Sequence, residues 1–335
     1  MAGKLTFGYL YDFRNPPPWH RPWDQLYADI LEVVAWTEKA GFEGAWVPEH
    51  HMADDGYMPS PLVALSAIAA RTSRIRIGTA IALAPLYHPL RFAEECAVLD
   101  ILSNGRLDVG LAIGYRQRES NAFGTDFTKR GRLFDEWLEI VTRLWAGEEV
   151  NFNGQFFSLE GAKLMPPASR GRIPLYLGSF TDRAMERVAR YGDGFIGNTD
   201  IFDLYANKLR EQGKDLTSAR VRATELFLVV AHDPERAMNE LAPYYHYINN
   251  SYGEWFNEGQ GQDFGDRLDP MSLEKFKRSG VLNILTPDDA IKMIREKQAS
   301  IPLEHVMMMM PAGLPAERFV EYAQVFANDV LPAFN

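Results

Sequence analysis

The chain has 335 residues, 46% of them hydrophobic and 24% charged, with a formal net charge of −10. This composition argues against disorder, and the acidic balance argues against non-specific binding to nucleic acid or an anionic membrane. One cysteine, Cys96, excludes an internal disulfide and a multi-cysteine zinc site. No apolar run reaches the roughly 18–20 residues of a membrane span, so a cytoplasmic enzyme is expected.

The first strand is predicted at Leu5–Tyr11, with no charged segment leading into an apolar one, so no secretory leader is expected. Further strands follow at Gly44–Pro48, Ile75–Ile81, Leu107–Ile113, Pro174–Gly178, Gly194–Gly197, Ala223–Ala231 and His305–Met310. Helical periodicity lies between them at 23–40, 61–72, 90–102, 130–146, 181–191, 200–212, 234–246 and 286–298, and again at 315–331. Strands alternating with helices in this number predict a closed parallel (β/α)8 TIM-type barrel, with 1–335 as one domain. A doubly wound open sheet is the alternative, but it usually has fewer strands. Gly41, Gly105 and Gly192 sit where helix C-caps would pass into short loops before strands. Cys96 falls in an Ala-rich helix and reads as a small core residue.

Two segments exceed a minimal barrel. Asn153-Gly154 between β-prone residues predicts a hairpin near 150–160. Residues 247–284, polar and rich in Gly, Tyr and Trp, predict an irregular excursion such as a lid.

In parallel barrels the working groups stand at the C-terminal ends of strands. Those ends hold Asp12, Glu49-His50-His51, Ala80-Ile81, Gly114-Tyr115, Gly178-Ser179, Asn198, His232 and Met307–Met310. His50 and His51 are the titratable groups suited to acid–base work near neutral pH. Strand alternation sends adjacent side chains to opposite faces, which argues against joint metal chelation with Asp54 and Asp55, and no metal is expected. Either histidine remains a candidate on this ground. Gly178-Ser179 before a helix could bind a phosphate or simply precede an ordinary N-cap. The aromatic first loop (Asp12–Trp23), with Tyr57, Tyr244–Tyr247 and Trp255-Phe256, could line a mostly apolar pocket or pack against the barrel.

Taken together, Trp46-Val47-Pro48-Glu49-His50-His51, Ile77-Gly78-Thr79-Ala80, His88-Pro89, Leu99 to Arg106 and Phe123-Gly124-Thr125-Asp126 resemble the bacterial luciferase-like flavin monooxygenases. Gly178-Ser179, Gly192-Asp193-Gly194 and Gly313-Leu314-Pro315 continue the resemblance along nearly the whole chain, apart from 247–284. The resemblance implies a homodimeric enzyme that takes reduced FMN from a separate flavin reductase and uses O2 to oxygenate a small organic substrate. FAD and a deazaflavin are alternative cofactors. His50 matches the catalytic histidine, stabilising the flavin–oxygen adduct or acting as base, and His51 is the weaker candidate. Ala80-Ile81 matches a non-proline cis peptide under the flavin ring. Tyr115 borders the flavin, and Gly178 and Ser179 match its phosphate contacts. One position departs: where relatives often carry a phosphate-holding Arg, this chain has Ile113, leaving the anchor missing or supplied by Arg116 or Arg118. Rival readings are a deazaflavin hydride-transfer enzyme, a metal-dependent barrel hydrolase and a silent flavin-binding protein.

Overall fold

The computed structural model describes residues 4–178, 180–258 and 269–335. Eight parallel strands form the barrel: β1 (Thr6–Leu10), β2 (Gly44–Val47), β3 (Arg76–Thr79), β4 (Leu107–Ala112), β5 (Leu175–Gly178), β6 (Gly194–Gly197), β7 (Val221–Thr224) and β8 (Leu303–Met309). Their spatial order is β3-β2-β1-β8-β7-β6-β5-β4. Closure comes from β4 pairing back to β3, with Ile77 opposite Leu107 and Gly78 opposite Asp108. The predicted barrel is therefore the fold.

The helices are α1 (Trp23–Lys39), α2 (Pro61–Arg71), α3 (Pro89–Leu102), α4 (Gln117–Ala122), α5 (Arg130–Trp145), α6 (Asp182–Tyr191), α7 (Phe202–Glu211), α8 (Pro234–Glu258), α9 (Leu273–Arg278), α10 (Pro287–Ser300) and α11 (Ala316–Asp329). In α5, Phe134, Trp137, Leu138, Val141, Leu144 and Trp145 recur at three- and four-residue spacing and are buried, the stripe a barrel-facing helix needs. Strands walled by helices on one side and barrel core on the other bury both faces, as all of β2 does. Cys96 is buried in α3, as expected.

The barrel interior near the strand starts is filled by an ionic cluster. Asp108 pairs with Arg76 and with Arg222 at 2.9 Å, and Arg222 lies 3.5 Å over the Tyr176 ring. Burial works against the Asp108 charge, but the two guanidiniums outweigh it and hold the carboxyl below its usual value. This cluster sits opposite the working face, where side chains serve stability.

Several local expectations change. Gly41 and Gly105 take the left-handed backbone expected after a helix (φ 99° and 75°), whereas Gly192 is extended with φ −80°. The hairpin forms between Val150–Asn153 and Ser158–Ala162. The single strand predicted at Ala223–Ala231 is two. A turn bond from the Leu228 N–H to the Glu225 carbonyl (3.0 Å) ends β7, and Leu228–Val230 then pairs with Asn283–Leu285 outside the barrel. His232 consequently leaves the strand-end face; it is exposed and lies 3.3 Å from Asp329.

The excursion predicted from residue 247 is helical as far as Glu258, because α8 does not stop at 246. Leu241, Tyr245, Ile248, Tyr252 and Trp255 follow each other at three- and four-residue steps, and they keep one face of α8 on the protein. Beyond it, α9 and the Asn283–Leu285 strand are regular. Residues 259–268 of the predicted excursion lie outside the described residues, as does Ser179.

Candidate active site

The loops after β1 and β2 are laced together at the barrel mouth. The Met58 N–H donates to the Asp12 carbonyl, and the His50 N–H donates to the Met58 carbonyl, both at 3.1 Å. This fixes the Glu49-His50-His51 segment before any side chain is considered.

The two histidines then part. His50 Nδ1 lies 2.9 Å from Glu119 Oε1, and His50 Nε2 lies 3.1 Å from the Tyr115 hydroxyl. His51 Nε2 lies 2.8 Å from Glu49 Oε1, and Glu49 also accepts from the Tyr87 hydroxyl and the Leu83 N–H. His51 faces a cleft of about 400 Å3 on the α2–α3 side, walled by Leu62, Val63, Tyr87 and Phe123. His50 instead stands among Tyr57, Tyr115, Tyr252 and Trp255, with ring centroids 4.8–6.3 Å away. The histidines thus serve different carboxylates, although β2 ends at Val47 and strand alternation does not extend to them. Among the described residues, no group of three or more His, Cys, Asp or Glu side chains is placed to hold a metal ion.

The protonation pattern follows from burial and partners. Burial disfavours the Glu119 charge, but the bonds and charges of His50, the His51 N–H and Arg116 together outweigh it, so its carboxyl is held low and ionised. An ionised carboxylate only accepts, which places a proton on His50 Nδ1. Burial pulls the His50 pKa down, opposed in part by Glu119, so the ring is neutral at pH 7 and Nε2 is bare. Burial pushes the Tyr115 phenol up; it stays protonated and donates to Nε2. The site thus presents one oriented imidazole with an accepting nitrogen.

Arg116 occupies a place the sequence did not reveal. It donates to the His51 carbonyl (3.0 Å) and to Glu119 (3.1 Å), pairs with Glu258 (3.3 Å), and lies 4.5 Å from the Trp255 ring centroid. These contacts commit it to holding α8 over the mouth. Arg14 lies 5.2 Å from the same Trp255 ring centroid and is paired with Asp55 at 2.6 Å. Of the residues expected to line the pocket, Tyr57, Trp255 and Phe256 are brought to the mouth, whereas Tyr244 packs on Trp19 at 4.4 Å.

The peptide between Ala80 and Ile81 is cis, as the resemblance implied. The Ile81 side chain spreads across β4 and β5: a Cβ at Gly110 would come within 2.8 Å of it, and one at Gly178 would strike its end. A larger residue at 178 would have to push the end of the Ile81 side chain aside. Thr181 caps α6 by accepting from the Ala184 N–H at 3.3 Å, with Asp182 in the first turn. Ile113 is half-buried and aliphatic at the end of β4.

Asp12 gives the site a pH-dependent element. Burial pushes its carboxyl up to about 7, against the pull of Arg14. Its Oδ2 and Arg14 Nη1 have no protein partner, and both residues line a void of about 10 Å3, room for about one water. A folded-state pKa raised above the unfolded one gives stability that is full below the unfolded value and is lost as pH rises towards 7. Between pH 5 and pH 8 the wild type should lose about 2–3 kcal/mol relative to Asp12→Asn. Parallel urea titrations at the two pH values measure this; curves that keep their spacing would contradict it.

A closed barrel with an oriented imidazole at its strand ends is the framework of an enzyme, with its acid–base group held away from bulk water. The sequence matches the luciferase-like monooxygenase family over residues 5–300, and the chain belongs to that family. It is 24% identical to the oxygenase component of the flavin-dependent trigonelline monooxygenase of Acinetobacter baylyi, over 93% of this chain and 91% of that one. It is 26% identical to an F420-dependent glucose-6-phosphate dehydrogenase of Amycolatopsis mediterranei, over 91% of this chain and 93% of that one. The crystal structure of the monooxygenase RslO1 from Streptomyces bottropensis superposes with a TM-score of 0.82 at 25% identity, covering 99% of this chain and 100% of that one. The chain is an oxidoreductase of this family. Among the described residues, no helix is long and apolar enough to cross a membrane.

Proposed function

We propose that this enzyme is the oxygenase of a two-component system, taking reduced FMN from a separate flavin reductase and using O2 to oxygenate a small, mostly apolar organic substrate. The observation that carries this reading is the neutral His50, 6% exposed, fixed by Glu119 through Nδ1 and bonded through Nε2 to the Tyr115 hydroxyl at an aromatic-walled mouth.

The residues fit a flat, ring-shaped cofactor. Gly110 and Gly178 leave room for the Ile81 side chain, which a Cβ at either would meet, and so seat the Ala80–Ile81 peptide at the strand ends beside the aromatic mouth. Ala80, Ile81 and Tyr115 would border the ring system, with Gly178 and Ser179 towards its phosphate. The reduced flavin, when bound, supplies the electrons that activate O2. His50 Nε2 can take the Tyr115 hydroxyl proton as the Tyr115 oxygen takes one from the site, while Glu119 holds the imidazolium that results. Tyr57, Tyr252 and Trp255 exclude water around it.

With reduced FMN and isotopically labelled O2, one labelled oxygen should enter each product molecule; label arriving only from water would sink the reading. A second reading, hydride transfer with a deazaflavin, is favoured by Ile113 at the departed position and by the F420-dependent relative. Turnover without oxygen on reduced F420 is its signature.

A cytoplasmic homodimer completes the proposal. Val63 on α2 and Leu102 on α3 are 71% and 63% exposed, next to Val98 and Ile101, an apolar face suited to a second copy. A monomeric mass at micromolar concentration would refute it.

A further inference from the structure

Resting on the flavin reading, we propose that Arg130 takes the phosphate-anchoring role that Ile113 cannot perform, making it the cation that selects a phosphorylated flavin over riboflavin. Arg130 is the first residue of α5. Its Nε donates to the Gly114 carbonyl (3.1 Å), the residue directly after Ile113, and its Nη1 donates to the Phe127 carbonyl (2.6 Å). The guanidinium lies 3.6 Å from the Phe127 ring centroid. These contacts pin the cation beside the end of β4 but neutralise nothing.

No carboxylate stands within ion-pair distance of Arg130 among the described residues, and its Nη2 is bonded to none of them. The surroundings make this costly. Burial alone pulls its pKa down, with no anion opposing that pull. The first turn of α5 has no acidic residue, while Lys129 precedes Arg130 and Arg132 follows it. Cations at a helix N-terminus oppose the helix dipole, whereas an anion there is favoured. Lys129 is paired with Asp126 at 3.0 Å; Arg130 has no such partner.

The location also suits the ligand. The Gly131 carbonyl accepts from Arg187 at 2.9 Å, which ties the start of α5 to α6. Arg130 thus stands beside the end of β4, at the start of a helix that packs on α6. A guanidinium whose free edge faces a phosphate can bind it through two parallel bonds. The sequence pointed instead to Arg116 or Arg118. Arg116 is saturated by Glu119, Glu258, the His51 carbonyl and Trp255, and Arg118 is exposed on α4.

Anaerobic titration of the whole protein with reduced FMN and reduced riboflavin, followed by tryptophan fluorescence, tests the assignment. Arg130→Met should weaken FMN about 10- to 100-fold, the loss expected for a hydrogen-bonded charge pair, and leave riboflavin within about twofold. Arg132→Met, on the exposed side of the same turn, should leave both affinities unchanged. Thermal melts confirm that each variant is folded. Unaltered FMN affinity in folded Arg130→Met, or equal loss for both flavins, overturns the role of Arg130 while the flavin reading stands. Wild-type protein that binds neither flavin overturns both.

Discussion

Substitution of His50 by alanine should lower oxygenated product formation by about 10²–10⁴-fold, the usual worth of a positioned acid–base group. Flavin affinity should stay within a few-fold, because the ring contributes a proton site and little contact area. The fall should appear in kcat, measured with reduced FMN, O2 and a substrate found by screening small apolar compounds. Because burial holds the His50 pKa below its ordinary value of 6.5, wild-type activity should persist as the pH falls past 6.5 and be lost only as it passes the lowered pKa. Unchanged kcat in a folded His50→Ala protein would remove His50 from the mechanism.

The second large effect is expected at Glu119, which is buried and serves three partners at once: the His50 ring, the His51 N–H and Arg116. Glu119→Ala would leave Arg116, with a side chain 1% exposed, short of its buried counter-charge. Breaking such a pair costs about 3–5 kcal/mol. Glu119→Gln keeps the shape and isolates the electrostatic part. Without the carboxylate the His50 pKa should fall further, so the acid limb of the activity profile should move to lower pH. The sign for stability is separate. Glu119 has a depressed folded pKa, so its contribution is present above the unfolded value near 4.5 and is lost as pH falls below it. Urea denaturation of the two variants and a pH–rate profile of Glu119→Gln measure both effects. An alanine variant as stable as wild type would show that Glu258 alone suffices for Arg116.

The barrel was legible in the sequence because its strands are short apolar runs buried on both faces, separated by helices of clear period. It was less legible where tertiary contacts override propensity. The second half of α8 contains Asn249, Asn250, Ser251 and Gly253, all poor helix formers. Its helical signal lay in the steps from Leu241 to Trp255, which only pay off once those rings find the mouth. The split of the predicted 223–231 strand has a similar origin: one continuous apolar stretch serves two sheets, and periodicity cannot mark the handover. At the site, His50 was readable from its place at a strand end. Glu119 was not, since α4 has only six residues and nothing in its composition says that its carboxylate turns back to a histidine 69 residues earlier. The Arg116–Glu119 spacing of three is the one local hint, and it reads equally as a surface pair. Arg116 illustrates the opposite error: proximity in sequence to Ile113 suggested a phosphate anchor, but its side chain runs to Trp255 and Glu258.

The central claim is that this barrel works with reduced FMN and oxygen. Parallel anaerobic titrations with reduced FMN and reduced F420, read by tryptophan fluorescence, test it most directly, because Trp255 stands 5.0 Å from the His50 ring. The account predicts saturable one-to-one quenching by reduced FMN that F420 does not displace. Saturable quenching by reduced F420, with none by reduced FMN, would contradict it.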